Sequence, residues 1–410
     1  MDRVAVRVAR VFDGERVLDG PVVVFVEDGR VLGVERGTAV PGGWPTRDLP
    51  GGTLLPGLID AHVHLCADGT PGPLDRLAGH SAERLDATIE ASLRAHLAAG
   101  VTTVRDLGDQ DGAVLSWSSR ATAGLPTVLG SGAPITTPGG HCWTMGGAVR
   151  GVAELRAAVR RRAEQGAHVV KIMGSGGVMT PGTDTMRPQF TDEEMRVAVA
   201  EAHAAGLPVT VHAHALTAVR QAVDAGADGI EHCTCVTPSG VRVDDALLGA
   251  LAGAGVVVCP TLGSDPGFVV PPEIVAMAAR AGLTQGALNE VVARLHEGGV
   301  RLVAGTDAGI GPPKPHGLLP VALREYAGCG MPATDVLAAA TSAAAAACGV
   351  ADRKGFVRPG HDADLLAVDG DPTADITTLA RPLAVYLAGE PVNALPDQRP
   401  DPGARHHGLR

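Results

Sequence analysis

The stretch VTVHAHALTAVRQAVDAGADGIEHCTC (residues 209–235) contains the unit from which the rest of the fold can be read. A short apolar strand, VTVHAHA, runs into an Ala-rich helical segment that closes at Gly226, and a second strand, ADGIEH, follows at once. Glycine at that point fits a helix C-cap in the left-handed conformation. The strands are continuous apolar runs, as expected of parallel strands buried on both faces. The same unit recurs to either side: Gly100 precedes VTTVRD, Gly124 precedes LPTVLG, Gly166 precedes AHVVKI, Gly206 precedes LPVTVH, Gly255 precedes VVVCPT and Gly299 precedes VRLVAG. Together with the earlier strand GLIDAHVHL (57–65), these make eight strands with intervening helices, the count that closes a (β/α)8 TIM barrel. A doubly wound open sheet is the competing arrangement, but no glycine-rich phosphate fingerprint supports it.

The ends differ in texture. Residues 1–56 alternate as antiparallel strands with turns, Asp28-Gly29 marking a hairpin, and residues 355–396 resume that alternation. The two ends are expected to pair into a small β-sandwich domain beside a barrel spanning 57–354. The tail 397–410, rich in Pro, Gly, Arg and His, is expected to be disordered. The chain is 45% hydrophobic but only 2% aromatic, so its core must be aliphatic. A net charge of −11 without any basic run excludes nucleic acid and anionic membrane as expected partners. No segment reads as a membrane span or signal peptide, and seven scattered cysteines suit a reducing compartment, so a cytoplasmic location is expected.

Functional residues of a TIM barrel lie at the C-terminal ends of its strands. Those ends carry His62 and His64, Arg105-Asp106, Lys171, His212 and His214, Glu231-His232, and Thr306-Asp307. Residues two apart on a strand face the same side, so each His-x-His pair converges. A lone buried histidine is usually a hydrogen-bonded core residue, but several imidazoles and a carboxylate at matching strand ends are the ligand set of borderline divalent metals. Only Lys171, Lys314 and Lys354 are lysines among 34 basic residues. Where this chain keeps Lys, it points to something Arg cannot supply, such as a proton that can be lost or a nucleophilic nitrogen.

GLIDAHVHL, VVKIMGSGG, VTVHAHA, GIEHCT and AGTDAG resemble, in order and spacing, the strand motifs of the amidohydrolase superfamily, and PGHDADLLAVDGDP resembles its C-terminal β-domain strand. The resemblance covers essentially the whole chain. It implies that His62, His64 and Asp307 hold a more buried divalent metal, expected to be Zn²⁺, and that His212 and His232 hold a second. It implies that Lys171 bridges both as a CO₂-derived carbamate. Asp307 would then deprotonate the attacking water and pass the proton to the leaving amine, with Lys171 and His232 completing the catalytic set. A mononuclear deaminase would usually carry Glu three residues after the strand-five His, where this chain has Ala215.

Within the superfamily the loops TPGGHCWTMGG and GGVMTPGTD, and His316-Gly317 after AGTDAG, resemble the branch of Xaa-Pro dipeptidases and related amide and urea hydrolases. That resemblance implies a small-molecule substrate, a dipeptide or N-acyl amino acid, and a homo-oligomer. His141 matches the branch's substrate-carboxylate histidine. His214 stands where the dipeptidases have Tyr, a departure that suits a urea, carbamate, lactone or non-peptide amide equally well. Trp143, Arg187 and His316 are further candidate substrate contacts. Lys314 is expected to be mainly a solvated loop charge, Cys233 and Cys235 to be buried packing groups, and Asp60 to support its strand end. Asp106 is expected to be structural or to pair with Arg105.

Overall fold

The computed structural model describes residues 3–120, 123–272, 275–276, 279 and 284–392; the expected disordered tail lies outside them. In chain order, four strands open the structure: β1 (Arg3–Phe12), β2 (Val17–Glu27), β3 (Arg30–Arg36) and β4 (Thr46–Pro56). Next come β5 (Leu58–Val63), β6 (Val101–Asp106), β7 (Thr127–Gly130), β8 (Val170–Met173), β9 (Val209–Ala215), β10 (Gly229–Thr237), β11 (Gly240–Val241), β12 (Val257–Cys259) and β13 (Arg301–Leu302). The chain closes with β14 (Leu365–Asp369), β15 (Pro382–Leu387) and β16 (Glu390–Pro391).

Every strand of the predicted repeat is present, and helices separate them, among them Ala82–Ala98, Gly151–Glu164, Asp192–Ala204 and Gln285–Glu297. Side chains start several of these helices. Ser81, Asp244 and Thr284 each accept an N-terminal amide, and Thr191 with Glu194 forms a reciprocal capping box. The repeat glycines end the helices as predicted, Gly100 at φ 82° and Gly206 at φ 74°.

The central strands form two parallel sheets, β5-β6-β7 and β13-β12-β10-β9-β8, with β11 turning back on β10. The ladder is interrupted at two seams. At one, Ile135 replaces a longer β7, donating to the Lys171 carbonyl at 2.8 Å and accepting from Met173 at 2.9 Å. At the other, Ala61 donates to Ala304, Asp307 to His62 and His64 to Ala308 at 2.8–2.9 Å. β13 is only two residues long, and farther along the same segment the backbone turns through Asp307, at φ 62°. The irregular segments thus sit where the candidate ligands sit.

The two chain ends build one seven-stranded sheet, β16-β15-β14-β4-β1-β2-β3. One face lines an apolar cluster of Val6, Val8, Val22, Val24, Leu54, Leu365 and Tyr386. The other face joins the main core through Phe12, Leu55, Leu366 and Val368. Val, Leu and Ala dominate both clusters, as the scarcity of aromatics requires. No helix of the described residues is long and apolar enough to cross a membrane. All seven cysteines are free thiols.

Leu366 lies over Gly100, where an added Cβ would fall 2.8 Å from a Leu366 methyl, so it ties the terminal sheet to the repeat. Leu366→Ala removes a fully buried side chain there and is expected to cost about 2–5 kcal/mol of unfolding free energy, read by urea denaturation.

Candidate active site

Strand register carries the polar side chains to one end of the two sheets. Met173 pairs with His212, and His212 with Glu231, so Lys171 lies one inward step below His212. Glu231 and His232 are adjacent and in a regular strand would face opposite sides. The β9–β10 ladder breaks after His232, which lies at φ 67°, followed by Cys233 at φ 52°. This bulge lets both Glu231 and His232 serve the interior. With Asp307, two of the candidate ligands occupy the left-handed region that non-glycine residues avoid, a strain of the kind that concentrates at functional sites.

The imidazoles are set by their outer partners. His62 Nδ1 lies 2.7 Å from Glu231 Oε2. Burial opposes ionisation of Glu231, but His62 and Arg105 outweigh it and hold the carboxyl below its usual range, so it accepts and His62 Nδ1 donates. His64 Nδ1 donates to the Gly108 carbonyl at 2.9 Å, and His212 Nε2 donates to the Gly176 carbonyl at 3.2 Å. The Thr261 hydroxyl gives its proton to the Pro260 carbonyl and so accepts from His232 Nδ1, 2.7 Å away. Each ring therefore keeps one nitrogen, His62 Nε2, His64 Nε2, His212 Nδ1 and His232 Nε2, with a lone pair to offer. Fixing a ligand's tautomer through its other nitrogen is the usual device of metal sites.

Asp307 Oδ1 lies 3.3 Å from His62 Nε2 and 3.2 Å from His64 Nε2. Burial raises the Asp307 pKa, but His62 and His64 overcome this and bring it well below the carboxylate range. Burial also works against protonation of His64, and Asp307 outweighs it. His212 and His232 lie well below the imidazole range, through burial first and neighbouring rings second. Potential ligand atoms form three groups, each within 4.8 Å: His62, His64 and Asp307; His212, His214 and His232; and His62, Glu231 and Cys259, in which His62 Nδ1 and Glu231 are already spent on each other. Imidazoles with one nitrogen fixed by an outer partner and an ionised carboxylate, converging in this way, fit two divalent cations.

Lys171 lines the same cavity as the first two groups and is 2% exposed. Burial lowers its pKa, and the charge of Arg105 acts in the same direction, while Glu231 and Asp307 oppose it. Arg105 pairs with Glu231 at 3.2 Å, not with Asp106. Asp106 instead accepts the amides of Leu65 and Gly108, as a structural role requires. Asp60 supports its strand end as expected, accepting from the Thr306 hydroxyl at 2.7 Å and from the amides of Thr306 and His62. Cys233 and Cys235 are fully buried.

A cavity of ≈ 290 Å³ opens over these groups. His141 and His214 line it as expected, each with Nδ1 2.9 Å from a threonine hydroxyl, Thr180 and Thr234 respectively. Burial takes their pKa values to about 3 and about 4, helped at His141 by the neighbouring His214 and opposed at His214 by Asp307. Three expected substrate contacts are not brought to the cavity. Trp143 is 47% exposed on its loop. Arg187 is exposed and pairs with Asp184 of the same loop. His316 spends both nitrogens on His96 and the Ala67 carbonyl. Lys314 corrects the reading in the other direction: it lines the cavity, and its Nζ donates to the Thr261 carbonyl at 2.8 Å. Glu231 and Thr261 gained no role from the sequence, although the Glu-His pair at a strand end was a usable signal for the first.

The amidohydrolase family model matches residues 53–392. A crystal structure of a prolidase complexed with N-methylphosphonate-L-proline superposes with a TM-score of 0.83 at 28% identity, covering 95% of this chain and 99% of that one. A Xaa-Pro dipeptidase with methionine bound in its active site superposes at 0.82 and 27% identity, with 95% and 99% covered. In sequence, an ochratoxinase of Aspergillus niger is 28% identical over 371 residues, 81% of this chain and 73% of that protein.

Glu231→Gln removes the charge that orients His62 and neutralises Arg105. Metal affinity is expected to fall about 10–100-fold in a chelator competition, with a stability loss of about 3–5 kcal/mol from the unpaired buried guanidinium.

Proposed function

We propose that this chain, which belongs to the amidohydrolase family and is a hydrolase acting on carbon–nitrogen bonds, cleaves the amide of a dipeptide or N-acyl amino acid in a two-cation site. The observation that carries the proposal is the pair of ligand groups with preset imidazole tautomers around a buried lysine. The hydrogen bonds across both seams support reading the eight central strands as a (β/α)8 barrel with the site at its C-terminal mouth. His62, His64 and Asp307 would hold one cation, and His212 and His232 the other.

Lys171 joins the two. An ammonium cannot ligate a cation, but a buried lysine that loses its proton can attack CO₂ through Nζ. The product is a carbamate with two oxygens, and one proton is released. Divalent cations held there, Zn²⁺ in this reading, supply Lewis acidity toward the scissile carbonyl and acidify water.

The remaining work falls to the chain. Asp307 Oδ1 lies beside both histidines on the cation side, and Oδ2 would accept the proton of the attacking water and deliver it to the leaving nitrogen as the C–N bond breaks. His141 and His214 offer their Nε2 atoms to the bound substrate. The apolar wall of Met179, Leu262, Leu288, Val291 and Ile310 accommodates an aliphatic or aromatic group and shields the reacting bond from bulk water. The same wall, with His214 in place of a tyrosine, favours a less peptide-like amide or urea as the second reading.

The test is amine release from a library of Xaa-Pro and other dipeptides and N-acyl amino acids, with enzyme loaded with Zn²⁺ in bicarbonate. Release of an amino acid is expected, and none from a protein holding two metals would contradict this substrate class. Lys171→Ala is expected to lower turnover at least about 10³-fold, the loss of roughly 4 kcal/mol of transition-state stabilisation, and to lower bound metal measured by elemental analysis. Unchanged turnover would refute the bridging role.

A further inference from the structure

The three lysines of this Arg-rich chain have separate fates. Lys354 is neutralised by Asp362 and Asp364. Lys171 belongs to the metal set. Lys314 remains, a half-buried ammonium on a loop after β13 that lines the cavity, and among the described residues no carboxylate forms an ion pair with it. Its Nζ makes one hydrogen bond, to the Thr261 carbonyl, and an ammonium has three donors. The remaining donors face the cavity, where an anionic group of a bound molecule can complete them.

The loop holds this group in place. Pro313 and Pro315 flank Lys314 and restrict the backbone. Gly309 donates to the Lys314 carbonyl at 2.7 Å, Lys314 donates to Gly311 at 2.8 Å, and Asp265 donates to Pro313 at 2.9 Å. The nearby carboxylates are engaged elsewhere: Asp307 with His62 and His64, and Glu325 with the amides of Gly263 and Ser264. Lys171 and Lys314 are the only Lys or Arg side chains among the described residues that line the cavity. His141 and His214 have each tied one nitrogen to a threonine and offer single hydrogen bonds.

We propose that Lys314 is the specificity-determining cation of the site, recognising a carboxylate on the substrate. This rests on the amide-hydrolase reading above and adds which residue reads the substrate's carboxylate, placing that carboxylate at the loop after β13. The group that bears the carboxylate packs on the apolar wall formed by Leu262, Leu288 and Val291.

The experiment is a calorimetric titration of the Zn²⁺-loaded protein with N-methylphosphonyl-L-leucine and with its C-terminal carboxamide, a pair that differs only in the carboxylate. Wild type is expected to prefer the carboxylate about 30-fold, the worth of a hydrogen bond to a charged group. Lys314→Met is expected to reduce the preference below about threefold, with melting temperature and bound metal unchanged. Lys314→Gln, which keeps a donor for Thr261 and drops the charge, gives the same comparison should the Met variant fail to fold. Lys314→Arg is expected to retain part of the preference. A preference that survives in the Met or Gln variant, or a wild type that shows none or binds neither compound, overturns the proposal. Intact preference without amine release in the library assay would instead overturn the proposed reaction and leave the role of Lys314 standing.

Discussion

One buried carboxylate organises the interior. Glu231 on β10 accepts from His62 on β5, Arg105 on β6 and Thr210 on β9. It thereby joins the three-stranded sheet to the other parallel sheet at a depth where no continuous ladder does so. Such a group contributes little net stability, because desolvating Glu231 and Arg105 offsets most of their attraction. Its contribution is specificity. Only one packing of the four strands satisfies all the donors at once, and that packing directs His62 Nε2 toward Asp307. The tautomer of the ligand and the closure of the fold depend on the same carboxylate.

The other ligands follow the same logic with cheaper partners: backbone carbonyls fix His64 and His212, and a threonine hydroxyl fixes His232. The backbone bends to deliver them, with positive φ at His232 and Asp307. His62, Lys171 and His212 stay inside their strands, but the β9–β10 pairing shifts after His232. The parallel ladder is broken there, and β13 is only two residues long.

The repeat of glycine and apolar strand was legible because C-caps and doubly buried strands leave local signatures. His62, His64, Lys171, His212, His232 and Asp307 were legible because strand ends can be counted. What lies beyond the strands was not. Loop residues such as Trp143, Arg187 and His316 fell near the right end of the fold, but side-chain direction in a loop depends on contacts that no periodicity encodes. Lys314 ran the other way: a charge in a proline-rich loop reads as solvated, yet the loop turns it toward the cavity and leaves it half-buried. Period-two alternation also hid Glu231, since a bulge places two consecutive residues on one side. The terminal strands were located, but how they join depends on edge pairings between distant residues such as Leu55 and Leu366.

The central claim is that side chains from separate strand ends form two adjacent cation sites. Anomalous diffraction from crystals of the Zn²⁺-loaded protein, recorded on either side of the zinc edge, tests it most directly. Two peaks are predicted, one against His62, His64 and Asp307 and one against His212 and His232, with continuous density from Lys171 Nζ reaching toward both. A single peak, or two peaks away from these residues, would contradict the account.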